Sequence, residues 1–173
     1  MNDIDKEDID DEKPYEKSSG AAWLILSGII LLLDWLSKTK AVAVLKNKQG
    51  IKINDYFNLQ YAENKGAAFS FLSDQGGWQI YFLLAVAFIV SLVLIINLII
   101  KKEIKDSKTL QLAYACIIGG SLGNGLDRLI NGYVIDFLQV HWKENYFPIF
   151  NVADIFISIG GFFLVITILK EKR

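Results

Sequence analysis

The sequence predicts an all-α integral membrane protein with four transmembrane helices and a small extracytoplasmic β-structure between helices 1 and 2. Of the 173 residues, 53% are hydrophobic, and they occur in long blocks rather than in amphipathic stripes. A membrane span needs roughly 20 mostly apolar residues to cross the hydrocarbon core. Four such blocks, separated by charged connections, indicate a bundle formed by a single domain.

The four apolar segments cover about 20–36, 78–100, 110–126 and 148–169, within one membrane domain at 20–173. The second is the clearest, because its 23 residues contain no charge. The first is short, and the third is also weak when taken alone. The prediction of four spans therefore depends on the whole set and on the charged connections between its members.

Residues 1–19 are polar, rich in Asp, Glu and Lys, and without hydrophobic periodicity. Such a composition predicts a disordered acidic tail, which we expect to be cytoplasmic. Its acidity also argues against a cleaved signal peptide, whose first region is basic.

Basic residues in the short connections predict that both termini are cytoplasmic (N-in, C-in). These residues lie between the second and third segments and after the fourth: Lys101, Lys102, Lys105, Lys108, Lys170, Lys172 and Arg173. The lysines of the long connection 38–77 count for less, because long loops have little weight in the positive-inside rule. Within that connection, Ile51–Ile53 and Phe57–Leu59 are β-prone stretches bordered by turn residues, which predicts local β-structure.

Composition excludes several classes of function. The net charge of −1 gives no indication of nucleic-acid binding. A single cysteine, Cys116, excludes an internal disulfide. The single histidine, His141, has no second His or Cys nearby at ligand spacing, so we expect no metal and no cofactor.

Carboxylates near membrane depth are energetically expensive and are functional candidates for that reason. An odd-numbered span ends on the side where the next even-numbered span begins, so the order of the spans places four aspartates in one layer at the outer surface. Three amides and one arginine join them. The predicted layer contains Asp34, Asp127, Asp136, Asp154, Asn64, Asn124, Asn151 and Arg128.

Two neighbouring carboxylates can hydrolyse a peptide without a metal, because one pKa rises and the pair shares a proton. The ionised member takes a proton from the attacking water, and the protonated member polarises the scissile carbonyl. The sequence offers no nucleophile elbow and no supported Ser-Lys pair. The glycine-rich run 119–125 lies inside an apolar segment, where we interpret it as a helix-packing surface.

Four motifs then appear in a recognisable order along the chain. They are Leu33–Lys38, Asn64–Phe69, Gly119–Arg128 with its continuation Gly132–Phe137, and Phe150–Asp154. In sequence and order they resemble the motifs of the lipoprotein signal peptidases (signal peptidase II), aspartyl peptidases of bacterial membranes. The resemblance extends from the first span to the fourth and leaves out only the acidic tail.

The resemblance implies that Asp136 and Asp154 are the catalytic pair. It implies a supporting or substrate-binding role for Asn64, Asn124, Asp127, Arg128, Asn151 and Asp34. The implied substrate is a diacylglyceryl-modified prolipoprotein, cleaved just before the lipid-modified cysteine, with membrane lipid as the other partner. The implied location is the bacterial cytoplasmic membrane, with the active site at the extracytoplasmic face, and a monomer would suffice.

Alternatives remain at this stage. Asp127 could be the second catalytic acid instead of Asp136, although its neighbour Arg128 would keep it ionised and favours an orienting role. Asp34 could simply end the first span and face water. A small proton-coupled transporter would also collect carboxylates, but nearer the midplane and often with internal repeats. A non-catalytic assembly protein is the third possibility, and it would tolerate loss of the Asp136 carboxylate.

Overall fold

The computed structural model describes residues 20–66 and 76–171. Within these ranges, four long helices, one short helix and four strands follow a 3-10 turn at Gly20–Ala22. The helices are α1 (Trp23–Leu45), α2 (Trp78–Ile100), α3 (Lys102–Lys105), α4 (Lys108–Asn131) and α5 (Val152–Glu171). The strands are β1 (Ile51–Lys52), β2 (Phe57–Asn64), β3 (Val134–Trp142) and β4 (Asn145–Tyr146). The predicted tail, residues 67–69 of the second motif, Lys172 and Arg173 lie outside the described residues.

The long helices follow the four apolar segments in order, and α1, α4 and α5 differ from the predicted segments at their ends. Helix α2 has the bounds of the second segment. Helix α1 continues past the predicted end near Leu36 as far as Leu45, so Lys38 is helical and does not belong to a loop. This extension is stable because its inward face, which includes Ala41 and Leu45, is buried.

Three described helical segments are long and apolar enough to cross a membrane: Gly20–Leu45, Trp78–Ile100 and Val152–Lys170. Helix α4 is not among them, because its sequence is rich in glycine and carries polar and charged side chains. It packs against α1, α2 and α5, and 12 of its 24 residues are buried. Much of its surface therefore faces other parts of the protein, which reduces the need for an apolar exterior.

Glycines allow α4 to approach its neighbours closely. A Cβ atom at Gly119 would lie 2.8 Å from the Ser27 carbonyl oxygen on α1, and one at Gly120 would lie 2.5 Å from the Ala153 carbonyl oxygen on α5. Both distances are too short for a side chain. The interpretation of run 119–125 as a packing surface is confirmed for these two positions.

The strands form one antiparallel sheet in the order β1-β2-β3-β4. The β-structure predicted for the connection after α1 is present as β1 and β2. Its main partner, β3, comes from the connection between α4 and α5, which the sequence prediction did not include. An irregularity between Leu59 and Ala62 shifts the register, after which Ala62 faces Asp136 and Asn64 faces Val134. The sheet thus brings two distant connections together.

Apolar clusters fix the two ends of α1. At its start, Trp23 and Leu24 pack against a buried cluster that includes Leu98 and Ile118. At its end, Ala41 and Leu45 pack with Phe137 of β3 and so attach the sheet to the helix bundle. The polar layer described next lies between these clusters.

Candidate active site

The sequence Asn-Val-Ala-Asp begins α5 with a reciprocal cap. Asn151 precedes the first helical residue, and its Oδ1 accepts a hydrogen bond from the Asp154 backbone N–H at 3.0 Å. In return, Asp154 Oδ2 accepts one from the Asn151 backbone N–H at 3.1 Å. Such a pair satisfies backbone donors that a helix start leaves open. It also holds the Asp154 side chain at the helix N-terminus, where the dipole stabilises a negative charge.

Strand β3 carries Asp136, whose side chain is buried, with 3% of the residue exposed. Its two oxygens accept hydrogen bonds from different amides. Asn151 Nδ2 donates to Oδ1 at 2.6 Å, and Asn64 Nδ2 donates to Oδ2 at 3.0 Å. The β2–β3 pairing explains how Asn64, from a distant part of the chain, reaches this carboxylate.

A third amide, Asn124 of α4, connects the two aspartates. Its Nδ2 donates to Asp154 Oδ1 at 2.8 Å, and its Oδ1 accepts from Asn151 Nδ2 at 3.0 Å. Asn151 therefore contacts Asp136, Asn124 and Asp154 at once, and it is fully buried. The carboxylates of β3 and α5 belong to one continuous hydrogen-bond network.

The network and its burial set the proton affinity of Asp136. Burial is the main cause that raises its pKa, and the nearby charge of Asp154 raises it as well. Hydrogen bonds from Asn64 and Asn151 act in the opposite direction, and the resulting pKa is about 6. A carboxyl group with such a pKa can hold a proton at near-neutral pH, as a proton-sharing pair requires.

A buried ion cluster lies beside this network. Lys38 Nζ is 2.7 Å from Asp34 Oδ2 and 3.0 Å from Asp127 Oδ2. Only 2% of Lys38 and 1% of Asp34 are exposed. The alternative in which Asp34 ends the first span and faces water is wrong, because α1 continues to Leu45 and Asp34 is buried in the bundle.

Backbone donors complete the environment of both acids in this cluster. Asp34 Oδ1 accepts from the Ala153 N–H at 2.9 Å, and Asp127 Oδ2 accepts from the Ile135 N–H at 3.0 Å. The cation in contact with Asp127 is Lys38, whereas the sequence argument had relied on Arg128. Asp34 and Asp127 thus hold the first turn of α5 and the start of β3, the two elements that carry the paired carboxylates.

Lys38 is the polar residue at this site that the sequence analysis missed. It was assigned to a loop, although the motif containing Asp34 also includes it. The available signal was spacing, since residues four apart lie on the same face of a helix. Recognising it required knowing that α1 continues beyond Leu36.

Arg128 is directed toward main-chain oxygens. Its Nη1 donates to the Asn124 carbonyl at 3.3 Å, and its Nη2 donates to the Gly66 carbonyl at 2.9 Å. Its buried Nε has no hydrogen-bond partner among the described residues. The guanidinium therefore links α4 to the end of β2 at the edge of the network.

Two cavities in the described part of the chain are lined by other residues. One, of about 520 Å³, lies between the end of β2, the start of α2 and the turn after α4, beside Gln79 and Tyr133. The other, of about 460 Å³, lies on the sheet beside Gln139 and His141. Neither is lined by Asp136 or Asp154, so the candidate site rests on the hydrogen-bonded carboxylates and not on cavity shape.

Known proteins and a family model match this chain over most of its length. A family model described as signal peptidase (SPase) II matches residues 26–170. A lipoprotein signal peptidase of Haemophilus ducreyi is 43% identical over 157 residues, which cover 91% of this chain and 96% of that protein. One of Aeromonas hydrophila is 44% identical over 156 residues, covering 90% and 92% respectively.

Two solved structures, each described as a bacterial membrane enzyme, have a similar fold. One gives a TM-score of 0.76 at 25% identity and covers 88% of this chain and 90% of its own. The other gives 0.73 at 26% identity and covers 87% and 94%.

Proposed function

The chain belongs to the signal peptidase II family, and from this membership we propose that Asp136 and Asp154 are the catalytic pair of an aspartyl endopeptidase. The protein is a membrane peptidase that cleaves the signal peptides of prolipoproteins. The observation that carries the assignment is the amide network, in which Asn151 contacts both aspartates. It holds two carboxylates close enough for the charge of one to raise the pKa of the other.

The two aspartates have different roles in the proposed mechanism. Asp154, at the N-terminus of α5, is the ionised member and accepts a proton from the attacking water. Asp136, with its raised pKa, holds the shared proton and donates it toward the scissile carbonyl oxygen. After attack, the proton on Asp154 passes to the leaving nitrogen as the C–N bond breaks. The hydroxyl of the tetrahedral intermediate returns its proton to Asp136 as the carbonyl re-forms, which completes hydrolysis and restores the pair.

The surrounding polar residues hold this pair in position. Asn64 and Asn151 donate to Asp136, and Asn124 donates to Asp154. Arg128 Nε has no acceptor among the residues that the structure describes, which suits a contact with a substrate carbonyl. Asp34 and Asp127 support the site from behind through Lys38.

Contacts favour Asp136 over Asp127 as the partner of Asp154. Asp127 shares the Lys38 ammonium group with Asp34, and its Oδ2 also accepts the Ile135 N–H. Within the described part of the chain, Asp136 receives hydrogen bonds from side-chain amides alone. A proton shared with Asp154 is therefore more favourable on Asp136.

The proposed substrate is a prolipoprotein that carries diacylglycerol on its cysteine, with cleavage just before that residue. The signal peptide would enter as an apolar helix beside the bundle, while its acyl chains stay in membrane lipid. The chain forms one domain at 20–173 with four spans and both termini in the cytoplasm. Its site then lies at the extracytoplasmic face of the cytoplasmic membrane, opposite the lysine-rich connection 101–108. A monomer suffices for this chemistry.

The test compares cleavage of a diacylglyceryl-modified prolipoprotein by the wild type, Asp136→Asn, Asp154→Asn and Asp127→Asn. Loss of either catalytic carboxylate is expected to lower kcat by at least about 10²–10⁴-fold, with the folded state retained. Asp127→Asn is the matched control, and it should keep more activity than either.

Circular dichroism and melting temperature in detergent establish that each variant is folded. Loss of activity with Asp127→Asn and Asp154→Asn but not with Asp136→Asn would assign the catalytic pair to Asp127 and Asp154. A folded wild type that does not cut would contradict the proposal and favour the transporter or assembly alternatives.

A further inference from the structure

The Lys38 ammonium group has as many hydrogen-bond acceptors as it has donors. Its three N–H groups face Asp34 Oδ2 at 2.7 Å, Asp127 Oδ2 at 3.0 Å and Asn124 Oδ1 at 3.0 Å. An ammonium group can donate but cannot accept. The Asn124 atom that faces Lys38 must therefore be the amide oxygen.

The orientation of the Asn124 amide also determines the hydrogen bonds to both aspartates. With its oxygen toward Lys38, Asn124 presents Nδ2 to Asp154 Oδ1 at 2.8 Å. The second lone pair of Asn124 Oδ1 receives Asn151 Nδ2 at 3.0 Å, and the other hydrogen of that nitrogen goes to Asp136 Oδ1 at 2.6 Å. One hydrogen of Asn124 Nδ2 and both hydrogens of Asn151 Nδ2 are thus directed toward a carboxylate or toward Asn124 Oδ1.

The opposite orientation of the Asn124 amide would disrupt this entire series of hydrogen bonds. A flipped amide would place its NH₂ group against the Lys38 ammonium and the Asn151 NH₂ group, where donors face donors. Its oxygen would face the Asp154 carboxylate, where acceptors face each other. In a buried site such unsatisfied groups are strongly unfavourable.

We propose that Lys38 is a positioning residue: it fixes the orientation of the Asn124 amide and thereby directs hydrogen bonds to both catalytic aspartates. The inference rests on the proposed function, because it assumes that Asp136 and Asp154 carry out the reaction. Lys38 does not touch the reacting atoms, and it acts through Asn124. Asp34 and Asp127, on α1 and α4, hold the ammonium group in place.

Lys38 also acts on the catalytic pair through its positive charge. This electrostatic effect can be separated from its effect on the orientation of the Asn124 amide. The charge lowers the pKa of Asp136, while Asp154 on α5 raises it. Arg128 is the other cation near the pair. Removing the Lys38 charge should move the alkaline limb of kcat/KM to higher pH, whichever neutral residue replaces it. A replacement without a donor should in addition weaken the orientation of the Asn124 amide, which then depends on Asn151 and Asp154 alone.

The experiment compares Lys38→Gln with Lys38→Met in the full chain, using the same lipid-modified substrate. Both variants lose the charge, so both leave Asp34 and Asp127 without a cation. Gln can still donate to Asn124 Oδ1, whereas Met cannot. We expect Lys38→Met to lose on the order of 10²-fold in kcat, and Lys38→Gln to stay at least about tenfold above it. KM should change little in either, and the pH limb should move equally in both.

Equal kcat values for the two folded variants would overturn the inference, because they would leave only a charge or folding role for Lys38. If neither variant folds, the same two replacements are compared in an Asp127→Asn background, which removes one of the two carboxylates left without a cation. Equal kcat values there would overturn the inference, and a kcat at least about tenfold higher for Gln than for Met would support it. A wild type that fails to cleave, or an active Asp136→Asn variant, would instead contradict the proposed function.

Discussion

At the residue scale, Asp136 differs from the other acids of the polar layer, because its hydrogen-bond partners among the described residues are all side-chain amides. Asp34 and Asp127 share an ammonium group and receive backbone N–H bonds. Asp136 is similarly buried but contacts no cation among the residues described in 20–66 and 76–171. Its burial raises its pKa, and the proton it can hold is the one that the reaction requires.

The pKa of about 6 at Asp136 predicts how activity depends on pH. The protonated form of the pair is the active one, and it predominates below this pKa. kcat/KM, which reports the free enzyme, should therefore fall about tenfold per pH unit above it. The limb of kcat should lie at higher pH, because bound substrate excludes water and raises the pKa further.

The control for this pH profile uses Asn64, whose hydrogen bond lowers the pKa of Asp136. Asn64→Ala should move the alkaline limb to higher pH. Asn58→Ala, six residues earlier on the same strand, should leave it in place. A kcat/KM that stays flat between about pH 6 and pH 9 would contradict the assignment of the shared proton to Asp136.

At the element scale, the first turn of α5 combines a structural task with a catalytic one. The Asn151 oxygen caps the helix, and the Asn151 nitrogen donates to Asp136 and Asn124. A serine at this position could keep the cap, because its hydroxyl accepts from the same N–H. It could not reproduce both amide donors.

We therefore predict that Asn151→Ser and Asn151→Ala separate stability from catalysis. Asn151→Ala should be less stable than Asn151→Ser by about 1 kcal/mol, the usual contribution of a cap. Both should lose kcat by a similar factor, on the order of 10²-fold. Thermal unfolding in detergent and cleavage kinetics measure the two effects. An Asn151→Ser enzyme with wild-type kcat would show that the amide donors are not needed.

At the scale of the whole molecule, α4 and the sheet bring the site together. Helix α4 contacts α1, α2 and α5 and supplies Asn124, Asp127 and Arg128. The sheet then joins the connection after α1 to the connection after α4. Replacing side chains on one connection can therefore alter the position of aspartates on the other, although the two connections are far apart in the chain.

The topology proposed for the molecule predicts opposite labelling of two exposed positions. Asp106→Cys lies in the lysine-rich connection before α4, and Glu144→Cys lies in the tight turn between β3 and β4. A membrane-impermeant maleimide applied to intact cells from outside should label only Glu144→Cys. Asp106→Cys should react after permeabilisation, and the buried Cys116 of the wild type provides the background. The reverse labelling pattern would contradict the proposed topology and indicate the opposite orientation in the membrane.

The sequence by itself determined the four apolar segments and the gathering of aspartates in one layer. Both follow from local composition and from the order of spans, which need no knowledge of distant contacts. The motifs around Asp136 and Asp154 also indicated the type of peptidase, which the comparisons confirm.

Only the tertiary structure decided which polar groups meet. The β2–β3 pairing that brings Asn64 to Asp136 depends on two segments far apart in the chain. The contact of Asp127 with Lys38 depends on how far α1 continues and on its packing against α4. Such contacts are set by burial and by the need to satisfy buried polar groups across elements, and a linear pattern does not contain that information.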